Sequence, residues 1–216
     1  MGWRGAGALR YAPPMDHLES VAALRGLYAD PRERAVRKQL DRLDPHCVRF
    51  IGLAPFVVVA TAGEDGALDA SPRGGVPGFV QVVDDRTLLL PDAPGNNRLD
   101  SFTNIVATGR IGMLFMIPGV DETLRINGTA MLSTGPGEIA RCTDERRAPR
   151  AVVRVGVREA YLHCAKAFMR SRLWEPASRV ERATLPTLGR MIADQTGLEV
   201  PPETEEEMRR RYAADL

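Results

Sequence analysis

The chain has 216 residues, enough for one good-sized domain with terminal additions, and its 29 Lys+Arg nearly cancel its 28 Asp+Glu, so no overall basic field favours nucleic acid as a partner. The three cysteines, Cys47, Cys142 and Cys164, lack CxxC spacing, which argues against a disulfide framework or zinc ribbon and for a reducing cytoplasm. No stretch approaches the roughly 20 apolar residues of a membrane span, so the reading is a soluble protein in which any phosphate recognition is local.

In chain order, "MGWRGAGALRYAPP" has Gly and Arg but no apolar segment of the kind an export signal needs. Met15 to Tyr28 shows helical apolar spacing through Leu18, Val21, Ala22 and Leu24. "DPRERAVRKQLDRLD" predicts the next helix, with Asp30 as N-cap, Pro31 at the first helical position and Glu33 completing a capping box. "PHCVRFIGLA" predicts a short third helix from Pro45.

At Phe56 the period changes. "FVVVATA", the turn cluster "GEDG" and the alternating "ALDAS" predict a hairpin over residues 56 to 71; "FVQVV", "DDR" and "TLLLP" predict a second. A helix over Arg98 to Thr108 follows, then strands in "IGMLFMI" and "ETLRINGTAMLST" joined by "PGVD". "AVVRVGVRE" predicts a further strand, and "AYLHCAKAFMRS" a helix. The tail carries two more helical patterns, "LPTLGRMIADQTG" and "PPETEEEMRRRYAADL", the second with Glu in its first turn and Arg in its last. Six or seven short strands, mostly hairpin-connected, with intervening helices predict a mainly β, α+β fold: a small barrel with helical decoration.

The stretch "LLLPDAPGNNRLDSFTNI" runs an apolar strand through Pro-Gly-Asn-Asn-Arg into a helix. It puts side-chain amides, a cation and a hydroxyl where the first helical turn has unpaired N–H groups, the chemistry that holds a phosphate. Taken alone, the loop is equally readable as a capped turn with Asn in left-handed conformations. "SPRGG" reads likewise as a strand end broken by Pro72, or as groups presented to a ligand.

Together, "FVVVATAGEDGALDASPRG", "RTLLLPDAPGNNRLDSFTNIVATGRIGMLFMIPG" and "ETLRINGTA" resemble the pyridoxamine 5'-phosphate oxidase-like, FMN-binding split β-barrel proteins. The resemblance covers about residues 50 to 135 for the family core, with "YLHCAKAFMRSRLWEP" resembling the C-terminal extension of one uncharacterised subfamily. It implies a split barrel over residues 50–176 with helical additions at 1–49 and 177–216, and a homodimer with FMN at the interface. It implies that Asn96, Asn97, Arg98 and Ser101 surround the 5'-phosphate, that Leu90 and Pro91 lie beside the ring or ribityl chain, and that Ser71 and Arg73 touch ring edge or phosphate. Arg125 is a further cofactor candidate, and Arg172 and Trp174 would come from the second subunit. "RSRLWEP" replaces the arginine-histidine-arginine pattern that grips the vitamin phosphate, so vitamin B6 oxidation is not the expected activity.

Read as helical, His163, Lys166 and Arg170 share one face and form a basic stripe, the candidates for the substrate side. Neither His-Cys pair, His46-Cys47 nor His163-Cys164, chelates easily by itself, and no metal is expected. No G-x-S-x-G elbow, G-x-G-x-x-G or Walker A loop occurs. The expected function is two-electron transfer between FMN and a small substrate, with a non-catalytic flavin module or an F420-dependent reductase as alternatives.

Overall fold

The computed structural model describes residues 17–145, 147–199 and 203–213, and divides at Lys38 into two compact units. In the first unit, α1 (Val21–Gly26) is capped by Ser20, whose Oγ accepts from the Ala23 amide at 3.0 Å. The short α2 (Glu33–Arg37) carries an Arg37–Glu33 ion pair. Neither helix buries a residue.

Both helices are shorter than their sequence patterns. Residues 15 and 16 lie outside the described residues, and α2 is capped by the Arg32 backbone with no side-chain bond, so Asp30 is not the N-cap. The helical pattern beyond Arg37 is overridden by tertiary pairing. The Leu40 amide and carbonyl bond to the Ala160 carbonyl and amide at 3.0 and 2.9 Å, and the Leu43 amide reaches the Asp85 carbonyl at 2.7 Å. An extended segment satisfies those groups at once, whereas a short exposed helix gains little.

The second unit, from Gln39, is built on one antiparallel sheet. Its seven strands are β1 (Phe56–Ala62), β2 (Leu68–Gly74), β3 (Gln81–Asp84), β4 (Thr87–Pro91), β5 (Arg110–Met116), β6 (Thr123–Ser133) and β7 (Val152–His163), in the order β2-β1-β5-β6-β7-β4-β3. Both predicted hairpins form, β1 with β2 and β3 with β4. Period-two alternation sends Val57, Val59, Met113, Phe115, Leu124, Ile126, Val153 and Val155 to one face, where all are buried.

Two helices cover that face. α3 (Pro45–Leu53) starts at Asp44, whose carboxylate accepts from the Cys47 amide at 2.8 Å, and buries Cys47 and Ile51. α4 (Asp100–Thr108) buries Ser101 and Ile105 and ends at Gly109, which takes φ 64° while its amide bonds to the Ile105 carbonyl at 2.8 Å; a side chain there would be strained. Asn104 Nδ2 donates to Thr61 Oγ1 at 3.0 Å, and Thr108 Oγ1 to the Ala62 carbonyl at 3.1 Å, tying α4 to β1.

The alternation along β6 holds to Ile126 and breaks at a bulge between Asn127 and Gly128. A Cβ on Gly128 would collide with the Gly156 carbonyl across the ladder. "PGEIAR", not read as helical from sequence, forms α5 (Pro136–Arg141), with Pro136 in its first turn. After β7 come α6 (Lys166–Ser171), α7 (Leu188–Thr196) and α8 (Glu205–Tyr212), the last with a full capping box between Thr204 and Glu207.

The helix predicted over "AYLHCAKAFMRS" is corrected. Tyr161, Leu162 and His163 extend β7, paired with Arg125, Leu124 and Thr123 of β6, and only Lys166 to Ser171 are helical. β6 offers a ladder of hydrogen bonds to residues that intrinsic propensity leaves undecided, and the ladder wins. His163 therefore shares no helix face with Lys166 and Arg170. Among the described residues no helix is long and apolar enough to cross a membrane.

Candidate functional site

The period of two along β2 puts Asp69, Ser71 and Arg73 on one face, the face that β1 buries through Thr61, Val59 and Val57. α4 is laid across the same face with its N-terminus toward β2. The result is a linked polar cluster. Ser71 Oγ donates to the Asp69 carboxylate, 3.1 Å from Oδ1 and 3.0 Å from Oδ2; Ser101 Oγ lies 2.5 Å from Asp69 Oδ2; and Arg73 Nη2 donates to Ser101 Oγ at 3.1 Å. Ser101 is buried, whereas Asp69, Ser71 and Arg73 are half-buried.

The loop before α4 supplies the second cation. Asn97 and Leu99 adopt left-handed backbone, at φ 57° and 60°, and Asn96 Oδ1 accepts from the Arg98 amide at 3.1 Å, an Asx turn. Arg98 Nε donates to Asp100 Oδ2 at 2.8 Å, and that bond, aided by Asp100 and Asp69 charge, holds the guanidinium still more firmly protonated than usual. The N-cap position is Leu99, which brings no side-chain oxygen to the first-turn amides of α4. Those amides and two guanidiniums form a donor set that fits an anionic phosphate.

Four of the predicted cofactor residues thus gather in one place: Ser71, Arg73, Arg98 and Ser101. Asn96 and Asn97 shape the loop beside them and are exposed. Leu90 is a core residue, 2% exposed, so its side chain packs in the barrel; Pro91 is half-buried at the end of β4 and pairs with Val152. Sequence reasoning overlooked Asp69, although the same alternation that selects Ser71 and Arg73 selects it.

The remaining candidates lie elsewhere. Arg125 points to the sheet face opposite Leu124 and Ile126, where its Nη1 donates to the Tyr161 hydroxyl at 2.9 Å and its guanidinium sits 5.5 Å from the Tyr161 ring centroid. The Tyr161 and His163 rings are 5.1 Å apart on that same face. Lys166 and Arg170 are exposed on α6. Arg172, at φ 53°, is held by Glu175 with contacts of 2.8 and 2.5 Å. Trp174 stacks on Phe168 with centroids 5.4 Å apart and donates from Nε1 to the Val120 carbonyl at 3.0 Å, in the β5–β6 turn. Among the described residues no three His, Cys, Asp or Glu side chains are grouped to hold a metal ion.

A seven-stranded antiparallel sheet wrapped on one core, with the N-terminus of α4 and two arginines at its β2 edge, defines an α+β split-barrel protein. The sequence model of the pyridoxamine 5'-phosphate oxidase family matches residues 43–164, and the chain belongs to that family. Among solved structures it is similar to HupZ from Group A Streptococcus, at 19% identity over 53% of this chain and 89% of that one, TM-score 0.45. It is similar also to a putative pyridoxamine 5'-phosphate oxidase from Lactobacillus delbrueckii, at 19% identity over 57% and 98%, TM-score 0.46. A third similar structure is an FMN-binding protein from Syntrophomonas wolfei, at 8% identity over 54% and 81%, TM-score 0.41. Comparison with curated proteins gives no match.

Proposed function

We propose that the protein is a cytoplasmic, homodimeric FMN-dependent oxidoreductase acting on a small substrate. The observation that carries this reading is the convergence of Arg73, Arg98, Ser71 and Ser101 on the N-terminus of α4. Arg73 and Arg98 would bind the 5'-phosphate by charge-assisted hydrogen bonds, and the first-turn amides of α4 would add neutral donors. When bound, FMN supplies the two-electron chemistry, accepting or giving hydride. What this chain then has to do is orient the cofactor and a substrate and keep water from them, which needs no acid/base triad.

The dimer is supported by where the candidates lie. Arg125, Tyr161 and His163 occupy the sheet face opposite Ser71 and Arg73, so the sheet of one chain stands between the two sets. A second copy is the simplest way to bring the His163 set of one protomer to the Arg73 set of its partner. On this reading, His163, Lys166 and Arg170 face the substrate and Arg172 and Trp174 complete the partner's site.

The experiment is a visible absorption spectrum of the purified protein before and after FMN addition and desalting, repeated with Arg73→Ala and Arg98→Ala. Retained flavin in the wild type and reduced retention in both variants supports the reading. No retention of FMN by the wild type refutes it, and an F420 titration then tests the deazaflavin alternative. Retained flavin that NADH, NADPH and candidate substrates all fail to reduce makes the protein a flavin module without turnover.

A further inference from the structure

We propose that Asp69 is a specificity-determining residue of the anion site, set against a doubly charged phosphate; this rests on the flavin reading above. A guanidinium only donates, so the 3.1 Å contact from Arg73 Nη2 uses a lone pair of Ser101 Oγ, and the single hydroxyl hydrogen goes to Asp69 Oδ2 at 2.5 Å. Ser71 commits its own hydrogen to the same carboxylate. Both hydroxyls beside the helix N-terminus are therefore spent on a group inside the protein.

A phosphate dianion, like a carboxylate, only accepts. It competes with Asp69 for the two hydroxyl hydrogens and meets a like charge while doing so. Arg73, on the same strand, reaches Asp69 through Ser101, and Arg98, in the loop before α4, feels the charges of both Asp69 and Asp100, while β1 presents the uncharged Thr61 opposite Asp69. Arg98 is already paired with Asp100 at 2.8 Å. The formal charges of Arg73, Arg98, Asp69 and Asp100 cancel, so the corner has donors for an anion but no net positive charge to hold two negative ones. A phosphodiester, with one charge, or a phosphate that keeps a proton meets less repulsion, and the latter can donate to Asp69. Asp69 thus tunes which phosphorylated flavin is held and how tightly.

The test compares FMN with riboflavin, which lacks the phosphate, by flavin-fluorescence titration of the full-length wild type and Asp69→Asn at about pH 8, where a phosphate monoester carries close to two charges. Asn keeps the shape and one acceptor oxygen while removing the charge. The preference for FMN over riboflavin is expected to rise about tenfold or more in the variant, the scale of removing a like charge at hydrogen-bonding range from a partly solvated site, with riboflavin affinity unchanged. An unchanged or lower preference overturns the proposal and leaves Asp69 as a positioning group for Ser71 and Ser101. Asp69→Ser, with the same expectation, serves if the amide variant fails to fold by circular dichroism; loss of fold in both overturns the proposal, because the carboxylate is then a structural anchor. Failure of every protein to bind either flavin refutes the flavin reading itself and this inference with it, whereas wild-type binding with an unchanged preference in the variant refutes the inference alone.

Discussion

Replacing Ser101 by Ala tests the polar link between β2 and α4. Ser101 is 2% exposed, and its hydroxyl joins a carboxylate at 2.5 Å to a guanidinium at 3.1 Å; hydrogen bonds to charged groups contribute about 1.5–3 kcal/mol. Two effects offset part of that loss. Ala is the better helix former by up to about 0.5 kcal/mol, and Asp69 keeps Ser71 and, being half-buried, finds water. The expected net destabilisation is about 1–2 kcal/mol, which for a chain of this size lowers the melting temperature by roughly 2–8 °C. Urea unfolding followed by circular dichroism measures it, with the midpoint falling at constant slope. The double variant with Asp69→Asn should be less destabilised than the sum of the two singles, by about 0.5 kcal/mol or more for groups in direct contact. Additive single effects, or a midpoint that does not fall in Ser101→Ala, would show that the link does not hold α4 to the sheet edge.

Gly128→Ala should cost about 1–3 kcal/mol or abolish folding, because the new methyl group meets the Gly156 carbonyl in the β6–β7 bulge and neither backbone can yield cheaply; soluble expression and thermal melting read the outcome. Of the three thiols, Cys164 is exposed, Cys142 is raised above its ordinary value by burial, and Cys47 is 3% exposed and pushed up to about 11 by burial. A chromogenic disulfide reagent at mildly alkaline pH should label Cys164 first and Cys47 only on unfolding, and rapid labelling of Cys47 in the folded protein would contradict the packing of α3. Glu138 is held below its ordinary 4.5 by the Ser133 hydroxyl and then by the Arg154 guanidinium. Its contribution to stability is therefore present above that value and is lost as pH falls through the lowered one. Thermal melts from neutral to acid pH should show a smaller loss in Glu138→Gln than in the wild type.

Local chemistry was enough to place most strands and several helices. Apolar runs closed by the Gly-Glu-Asp-Gly and Asp-Asp-Arg turns identify β1 to β4, Pro45 identifies the start of α3, and Glu in the first turn with Arg in the last marks α8, because each signal acts within a few residues. The loop before α4 is legible in the same way as a turn, with Asn97 in the left-handed conformation and Asn96 bonded to the Arg98 amide. Tertiary structure decided the rest. Leu40 and Tyr161 to His163 carry helix-compatible sequences, yet both segments enter the β ladder, because partner strands distant in sequence satisfy their backbone groups and local propensity is worth less than those bonds. Asp69 belongs to the same category. Its position on the Ser71 and Arg73 face follows from alternation, but its hold on the Ser101 hydrogen depends on where α4 crosses β2, a distance of 32 residues along the chain that only folding closes.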